Sequence, residues 1–161
     1  MSKLVTVGIA EMGIATGTDQ IVTYALGSCV GVCLYDKHQN IAGMVHIMLP
    51  AVPESGAKNS IFRYADTGVP SLLQKMESMG ARKALLTAKI AGGAKMFDIP
   101  GDSLVGNIGD RNIVAVKNVL SSLRIPIIGE DVGSNYARTM FFNATDGMVT
   151  IKAFSRGMST W

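Results

Sequence analysis

The chain has 161 residues, a formal net charge of +3 at pH 7 and 48% hydrophobic residues, and this length fits a single domain, residues 1–161, that buries roughly 70% of its unfolded surface. Its apolar runs reach only about ten residues, too few for a membrane-spanning helix, so no membrane insertion is expected. The fifteen Lys and Arg residues are scattered singly and do not alternate with aromatic residues, which argues against nucleic acid as a partner.

The first predicted element is a strand at residues 4–10, and a Gly- and Thr-rich connection follows at residues 11–20. The N-terminus lacks the basic segment, apolar segment and cleavage site of a secretory signal, so a cytoplasmic location is expected. Cys29 and Cys33 stand four residues apart on a later strand, which separates them by about 13 Å and keeps them from bonding to each other. Free thiols fit a reducing compartment.

Two apolar runs, residues 26–36 and 41–50, are separated by four polar residues, a pattern typical of a β-hairpin. With the turn centred on residues 37–38, antiparallel pairing places Cys29 directly opposite His46. Both side chains then share one face of the sheet. A slip of one residue would move His46 to the other face, so this register is a specific prediction.

Beyond the hairpin, the sequence predicts two helices and several strands. A loop at residues 53–60 is long enough to form a mobile flap over a site. The later elements are a helix at 64–79, a buried strand at 84–90, a helix at 111–123 capped by Asp110, and strands at 125–130, 138–143 and 148–154, with a hairpin turn at 145–147. Two helices and many strands predict a mixed α/β (α+β) fold.

A thiol and an imidazole that face each other can form a catalytic pair. Opposed residues have Cβ atoms roughly 4.5–5.5 Å apart, so the imidazole of His46 can take the proton of the Cys29 thiol. Gly27 and Ser28 interrupt the apolar run just before the thiol. They predict a kink that exposes the thiol and offers a backbone N–H to an oxyanion.

Each of these residues also has a purely structural interpretation. Cys29 fits a small buried apolar side chain, and His46 fits a core histidine whose ring nitrogens bond backbone groups. Cys33 opposes Ala42 in the predicted register, has no base beside it and is interpreted as structural. A metal site built from the two thiols and His46 matches no common zinc spacing and lacks a fourth ligand, so no metal is expected.

Six short motifs, taken together and in order, resemble the CheD chemoreceptor glutamine deamidases of bacterial and archaeal chemotaxis. The motifs are residues 26–30, 42–50, 64–66, 92–97, 108–112 and 131–133. They extend over nearly the whole chain. One departure is Ser134, because the family usually has a second glycine after the position of Gly133.

The resemblance implies that Cys29 is the nucleophile, that His46 is its base and that Thr23 completes the site. It implies hydrolysis of Gln side chains on methyl-accepting chemoreceptors to Glu and ammonia, without a cofactor. It also implies two packed β-sheets with flanking helices, related to the catalytic-domain fold of cytotoxic necrotizing factor toxins. A second implied partner is the CheC phosphatase, with Phe97 in the 92–97 loop at the border of that interface.

Two other functions stay open on the sequence alone. One is a different cysteine amidohydrolase, such as a peptidase or a transglutaminase-like enzyme with the same pair of residues. The other is a non-catalytic module that acts only by binding CheC. Conversion of Gln to Glu on a receptor fragment distinguishes the deamidase from both.

Overall fold

The computed structural model describes residues 2–54, 60–96, 107–154 and 156–161. Within these ranges the chain forms ten strands and two α-helices. The strands are β1 (Leu4–Val7), β2 (Met12–Thr16), β3 (Gln20–Leu26), β4 (Val30–Asp36), β5 (Ile41–Ile47), β6 (Thr87–Gly92), β7 (Ile127–Val132), β8 (Arg138–Asn143), β9 (Val149–Ala153) and β10 (Gly157–Thr160), and the helices are α1 (Ala65–Ser78) and α2 (Ile108–Ser122). Most of the predicted flap, residues 55–59, and the predicted partner residue Phe97 lie outside the described residues.

The strands form two five-stranded sheets that pack face to face. The first sheet has the order β1-β3-β8-β9-β10, and the second has the order β2-β5-β4-β6-β7. Alternate residues of each strand point into the space between the sheets, where Leu26, Met44 and Phe142 are buried. This arrangement confirms the predicted two packed sheets with flanking helices, whereas the relation to cytotoxic necrotizing factor toxins stays a prediction.

Both helices pack on the outer face of the second sheet. The side chains of α1 that face the sheet include Leu72 and Met76, both fully buried. Gly43 on β5 lets this helix come close, because a Cβ atom there would lie 2.5 Å from the Met76 sulfur. No helix in the described ranges is long and apolar enough to cross a membrane.

Several predicted boundaries were wrong, for local reasons. The segment predicted as a connection, residues 11–20, contains β2, whose small residues Gly13 and Ala15 weaken the alternating pattern. The strand predicted at 84–90 begins only at Thr87, because Lys83–Leu85 form a 3₁₀ turn. Helix α2 begins after Asn107, so Asp110 lies in its first turn and is not the cap. Strand β10 was not predicted.

The predicted hairpin forms, but its first strand, β4, begins only at Val30, so Cys29 precedes the strand. The predicted register was also wrong. In the structure Tyr35 pairs with Ala42, and Gly31, not Cys29, pairs with His46. The turn comprises all four residues 37–40, because the Asp36 carboxylate accepts the backbone N–H of His38 at 2.9 Å and closes the turn. The resulting shift is two residues, so the side chains keep the predicted face.

The packing of α1 predicts a large loss of stability on truncation of its central side chain. Leu72→Ala should lower the free energy of unfolding by about 2–5 kcal/mol, because it leaves a cavity against the second sheet. Chemical denaturation measures this change. Gln74→Ala, at an exposed position of the same helix, should change stability by less than about 0.5 kcal/mol, and equal losses in the two variants would contradict the packing.

Candidate active site

The candidate site lies where the chain passes from the first sheet to the second. Strand β3 carries Thr23 at 0% exposure, and its pairing with β8 then shifts register before Leu26. Ala25, inside the shifted segment, has a φ of +58°, a left-handed conformation that costs a non-glycine residue about 1–2 kcal/mol. Leu26 still pairs with Arg138 of β8. The chain then leaves the first sheet, and Cys29 comes immediately before β4.

A hydrogen bond between the sheets determines the protonation of the imidazole. Thr23 Oγ1 lies 2.7 Å from the Val7 carbonyl oxygen and 2.7 Å from His46 Nδ1. A carbonyl can only accept, so the single hydroxyl proton of Thr23 is donated to Val7. Thr23 Oγ1 must then accept a proton from Nδ1–H, which leaves the lone pair of the neutral ring on Nε2.

The other ring nitrogen of His46 is buried without a partner. In the ranges that the structure describes, Nε2 has no hydrogen-bond partner, although the residue is 0% exposed. Burial lowers the pKa of His46 to about 4. At neutral pH the ring is therefore neutral, with a free lone pair on Nε2, which is the state a general base requires.

Two carbonyl groups of the segment that carries the thiol accept hydrogen bonds from the neighbouring loop. Gly27 O accepts the Ala94 N–H and Cys29 O accepts the Gly93 N–H, both at 2.8 Å. The N–H groups of Ser28 and Cys29 donate to no acceptor in the described part of the chain. Cys29 itself is half-buried, and burial raises its pKa, so the resting group at neutral pH is the thiol.

Two adjacent glycines allow this close backbone contact. Gly92 has a φ of +111°, and a Cβ atom there would lie 2.2 Å from the Cys29 carbonyl oxygen. The neighbouring loop contains Ser134, the residue that departs from the pattern of the resemblance. Ser134 has a φ of +62° and its carbonyl oxygen accepts the Lys95 N–H at 2.8 Å. The serine therefore adopts the left-handed conformation for which a glycine would be expected.

The second thiol is placed differently. Cys33 pairs with Met44 and not with the predicted Ala42, is 0% exposed and lies 4.0 Å from the Met140 sulfur. Burial raises its pKa well above the usual value, which makes it a poor nucleophile. Among the described residues, no three His, Cys, Asp or Glu side chains are placed to hold a metal ion.

The sequence patterns assigned no function to one buried polar residue near the thiol. Asn112 of α2 is 0% exposed, and its side-chain amide donates to the backbone of the thiol segment. The sequence carries a signal for it, because Asn112 precedes the buried residues Val116 and Leu120 at helical spacings of four. A polar residue on the buried stripe of a helix indicates a specific partner.

Comparisons with known proteins cover most of this chain. A family model described as CheD chemotactic sensory transduction matches residues 48–153, after Thr23, Cys29 and His46. Proteins named probable chemoreceptor glutamine deamidase CheD match more of the chain. The one from Clostridium botulinum (strain Eklund 17B / Type B) is 47% identical over 96% of this chain and 95% of its own. The chain belongs to the CheD family.

A second relative of the same name, from Syntrophomonas wolfei, is 42% identical over 157 residues, 98% of each chain. A CheD protein from Clostridium novyi is 44% identical over 154 residues, 96% of this chain and 95% of its own. Alignments of this length include the segment from Thr23 to His46, so the likeness to CheD proteins extends through the candidate site.

The low pKa of His46 predicts a dependence of stability on pH. In the unfolded chain the ring binds a proton near its usual pKa of 6.5, whereas in the folded protein it does so only near 4. The unfolded state therefore binds more protons between these values, and the free energy of unfolding should fall by up to about 3 kcal/mol as the pH drops through this window.

Chemical denaturation from pH 7 to pH 4 measures this component by comparison with His46→Gln. The carboxylates titrate alike in both proteins, so the difference between the two curves isolates the imidazole. The wild-type protein should lose more stability than the variant on acidification. Parallel curves would show that His46 is not held neutral by the fold.

Proposed function

We propose that the protein is a deamidase that hydrolyses specific Gln side chains of methyl-accepting chemoreceptors, the activity named for its CheD relatives. The observation that carries this proposal is the imidazole of His46, whose Nδ1–H is bound by Thr23 and whose Nε2 is buried without a partner in the described ranges. An unpartnered buried acceptor lowers the stability of the folded protein by about 1–3 kcal/mol. A role as the catalytic base explains why the site keeps such an acceptor.

The strand register supports Cys29 as the group that His46 deprotonates. Gly31 pairs with His46, and Cys29 comes two residues earlier, just before β4 begins, where it packs against the apolar cluster between the sheets. This position corresponds to a diagonal neighbour of His46. Diagonal neighbours have Cα atoms about 7–8 Å apart, within reach of an aromatic side chain. The glycine between them adds no side chain to the face that they share.

The first half of the reaction forms a thioester. His46 Nε2 takes the Sγ proton of Cys29 as the sulfur attacks the side-chain carbon of the substrate Gln. Because both groups are neutral at rest, the proton moves with the attack and no stable ion pair precedes it. The imidazolium then gives the proton to the amide nitrogen, and the carbon–nitrogen bond breaks to release ammonia.

The negative charge on the substrate oxygen needs donors beside the sulfur. The N–H groups of Ser28 and Cys29 suit this role, because they donate to no acceptor in the ranges that the structure describes, whereas the Gly27 and Cys29 carbonyl groups are hydrogen-bonded. Gly27 contributes a position without a side chain next to this oxyanion site. Backbone donors fixed before the reaction stabilise the tetrahedral intermediate at no cost in reorganisation.

The second half of the reaction hydrolyses the thioester. His46 Nε2 takes a proton from water, the hydroxide attacks the thioester carbon, and the sulfur leaves with the proton to restore the thiol. Thr23 keeps Nδ1–H bonded throughout, so the same nitrogen serves both halves. No cofactor takes part in this sequence. A neutral Thr stabilises the imidazolium less than a carboxylate would, which agrees with the low pKa of His46.

The family also provides the cellular setting of the proposal. We place the protein in the cytoplasm, with chemoreceptors as substrates and the CheC phosphatase as a second partner. Single-domain organisation over residues 1–161 belongs to the same proposal. The residue predicted for the CheC interface, Phe97, lies outside the described residues, so the CheC proposal rests on the family resemblance.

Substitution of the proposed nucleophile tests the activity. Cys29→Ala should abolish the conversion of Gln to Glu on a receptor cytoplasmic fragment, because no thioester can form. Mass spectrometry in heavy-oxygen water detects the product as a carboxyl group that contains one heavy oxygen atom. Cys33→Ala is the matched control, and it should retain the activity because Cys33 is buried between the sheets.

The same mass spectra distinguish the other functions. Cleavage of the fragment at peptide bonds would identify a peptidase, and incorporation of an added amine without release of Glu would identify a transglutaminase-like enzyme. Equal conversion by Cys29→Ala and the wild-type protein would contradict the assignment of the nucleophile. A wild-type protein that binds CheC but leaves every Gln unchanged would identify a non-catalytic binding module.

The CheC proposal has a direct measurement. Purified CheC added to the wild-type protein should form a complex detectable by calorimetry and should slow the conversion of Gln to Glu. Cys29→Ala should bind CheC as tightly as the wild-type protein does, since the thiol is needed only for the chemistry. Absence of heat on mixing at two different temperatures would contradict this part of the proposal alone.

A further inference from the structure

Asn112 joins two backbone segments that lie next to the proposed catalytic residues. Its side-chain Nδ2 lies 2.9 Å from the Ser28 carbonyl oxygen and 3.0 Å from the Met48 carbonyl oxygen. Ser28 immediately precedes the thiol residue, and Met48 is the second residue after His46. We call this pair of hydrogen bonds the Asn112 bridge.

The Asn112 bridge lies where the two strands of the hairpin separate. The final pair of the β4–β5 ladder is Val30 with Ile47, so no ladder hydrogen bond joins the segments beyond it. The N–H groups of Met48 and Leu49 bond to the Arg63 carbonyl oxygen. A side chain from α2 thus supplies the connection that the ladder no longer provides.

The chemistry of the bridge requires a side-chain group that donates to two acceptors. Both partners are carbonyl oxygens, which only accept, so the NH₂ group and not the oxygen of Asn112 must face them. The amide oxygen is left buried without a partner among the described residues. A buried amide with an unpartnered oxygen lowers stability. We therefore attribute the presence of Asn112 at this position to the two hydrogen bonds that its NH₂ group donates.

The bond to Ser28 also determines the direction of a neighbouring donor. The Ser28 carbonyl and the Cys29 N–H belong to one planar trans peptide unit, in which the two groups point in opposite directions. Fixing the carbonyl oxygen towards α2 therefore fixes the Cys29 N–H towards the opposite side. Ala94 does the same for the preceding unit, since its N–H binds the Gly27 carbonyl oxygen at 2.8 Å.

We propose that Asn112 is a positioning residue, which acts through the Ser28–Cys29 peptide unit to aim the Cys29 N–H at the substrate oxyanion and to set the thiol relative to His46. This inference rests on the proposed function, since it assigns a role in that reaction. Asn112 does not touch the substrate. Its effect falls on the transition state, where the oxyanion and the displaced proton are present.

Steady-state kinetics of Asn112→Ala, measured below the melting temperature of this variant, test the proposal. Loss of the bridge should lower kcat for a receptor fragment about a hundredfold, the size expected for misplacement of a reacting group, with KM changed less than threefold. Asn118→Ala, at an exposed position on the same helix, should retain the wild-type kcat. A folded Asn112→Ala protein with wild-type kcat would overturn the proposal.

Alkylation of Cys29 by iodoacetamide gives a second measurement that needs no deamidation. In Asn112→Ala the rate constant and its pH profile should both differ from the wild-type values, because the thiol has moved relative to the imidazole. An unchanged profile would overturn the positioning role. If the wild-type protein is alkylated at Cys29 yet converts no Gln, the proposed function is overturned and the alkylation profile alone decides on Asn112.

A milder substitution covers the case in which Asn112→Ala does not fold. Asn112→Ser keeps one hydroxyl donor in place of two N–H donors and should give an intermediate kcat. If neither variant folds, amide NMR of the wild-type protein decides. The side-chain NH₂ signals of Asn112 should shift when Cys29 is alkylated, and unshifted signals would overturn the proposal.

Discussion

The hydrogen bond between Thr23 and His46 is the contact on which the chemistry of the site depends. It joins a side chain of the first sheet to a side chain of the second, so it exists only when the sheets are packed. The Val7 carbonyl oxygen uses the hydroxyl proton of Thr23, and the imidazole must therefore carry its own proton on Nδ1. A tautomer is thus determined by one carbonyl group on β1, a strand that contributes no other part of the site.

Hydrogen bonds to backbone carbonyl groups orient the segment that carries the thiol. Its three successive carbonyl oxygens, from Gly27 to Cys29, accept hydrogen bonds from Ala94, Asn112 and Gly93. Because each peptide unit is planar and trans, each bound carbonyl oxygen fixes the N–H group of its own unit in the opposite direction. The site thus combines a base oriented by one side chain with N–H donors oriented by hydrogen bonds to the carbonyl groups of their own peptide units.

The strength of the sequence patterns explains which features could be predicted. Long apolar runs and helical spacing predicted β4, β5, α1 and α2, and the two-residue period placed Cys29 and His46 on one face. The register was wrong, because the turn length depends on hydrogen bonds to Asp36 that no apolar pattern records. Thr23 entered only through the resemblance to CheD proteins, because its partner lies on the other sheet. The Asn112 bridge joins residues far apart in the chain, and no local pattern specifies its partners.

The strand order of the first sheet has a consequence for the protein during its synthesis. Strand β3 lies between β1 and β8, and Thr23 pairs with Met140. The thiol and the imidazole precede β8 in the chain, and β8 follows only after α2 and β7 have been made. The sheet that contains Thr23 therefore cannot be completed on a half-made chain. The strand that carries the orienting partner of the imidazole is thus flanked on one side by a segment that is synthesised well after the imidazole itself.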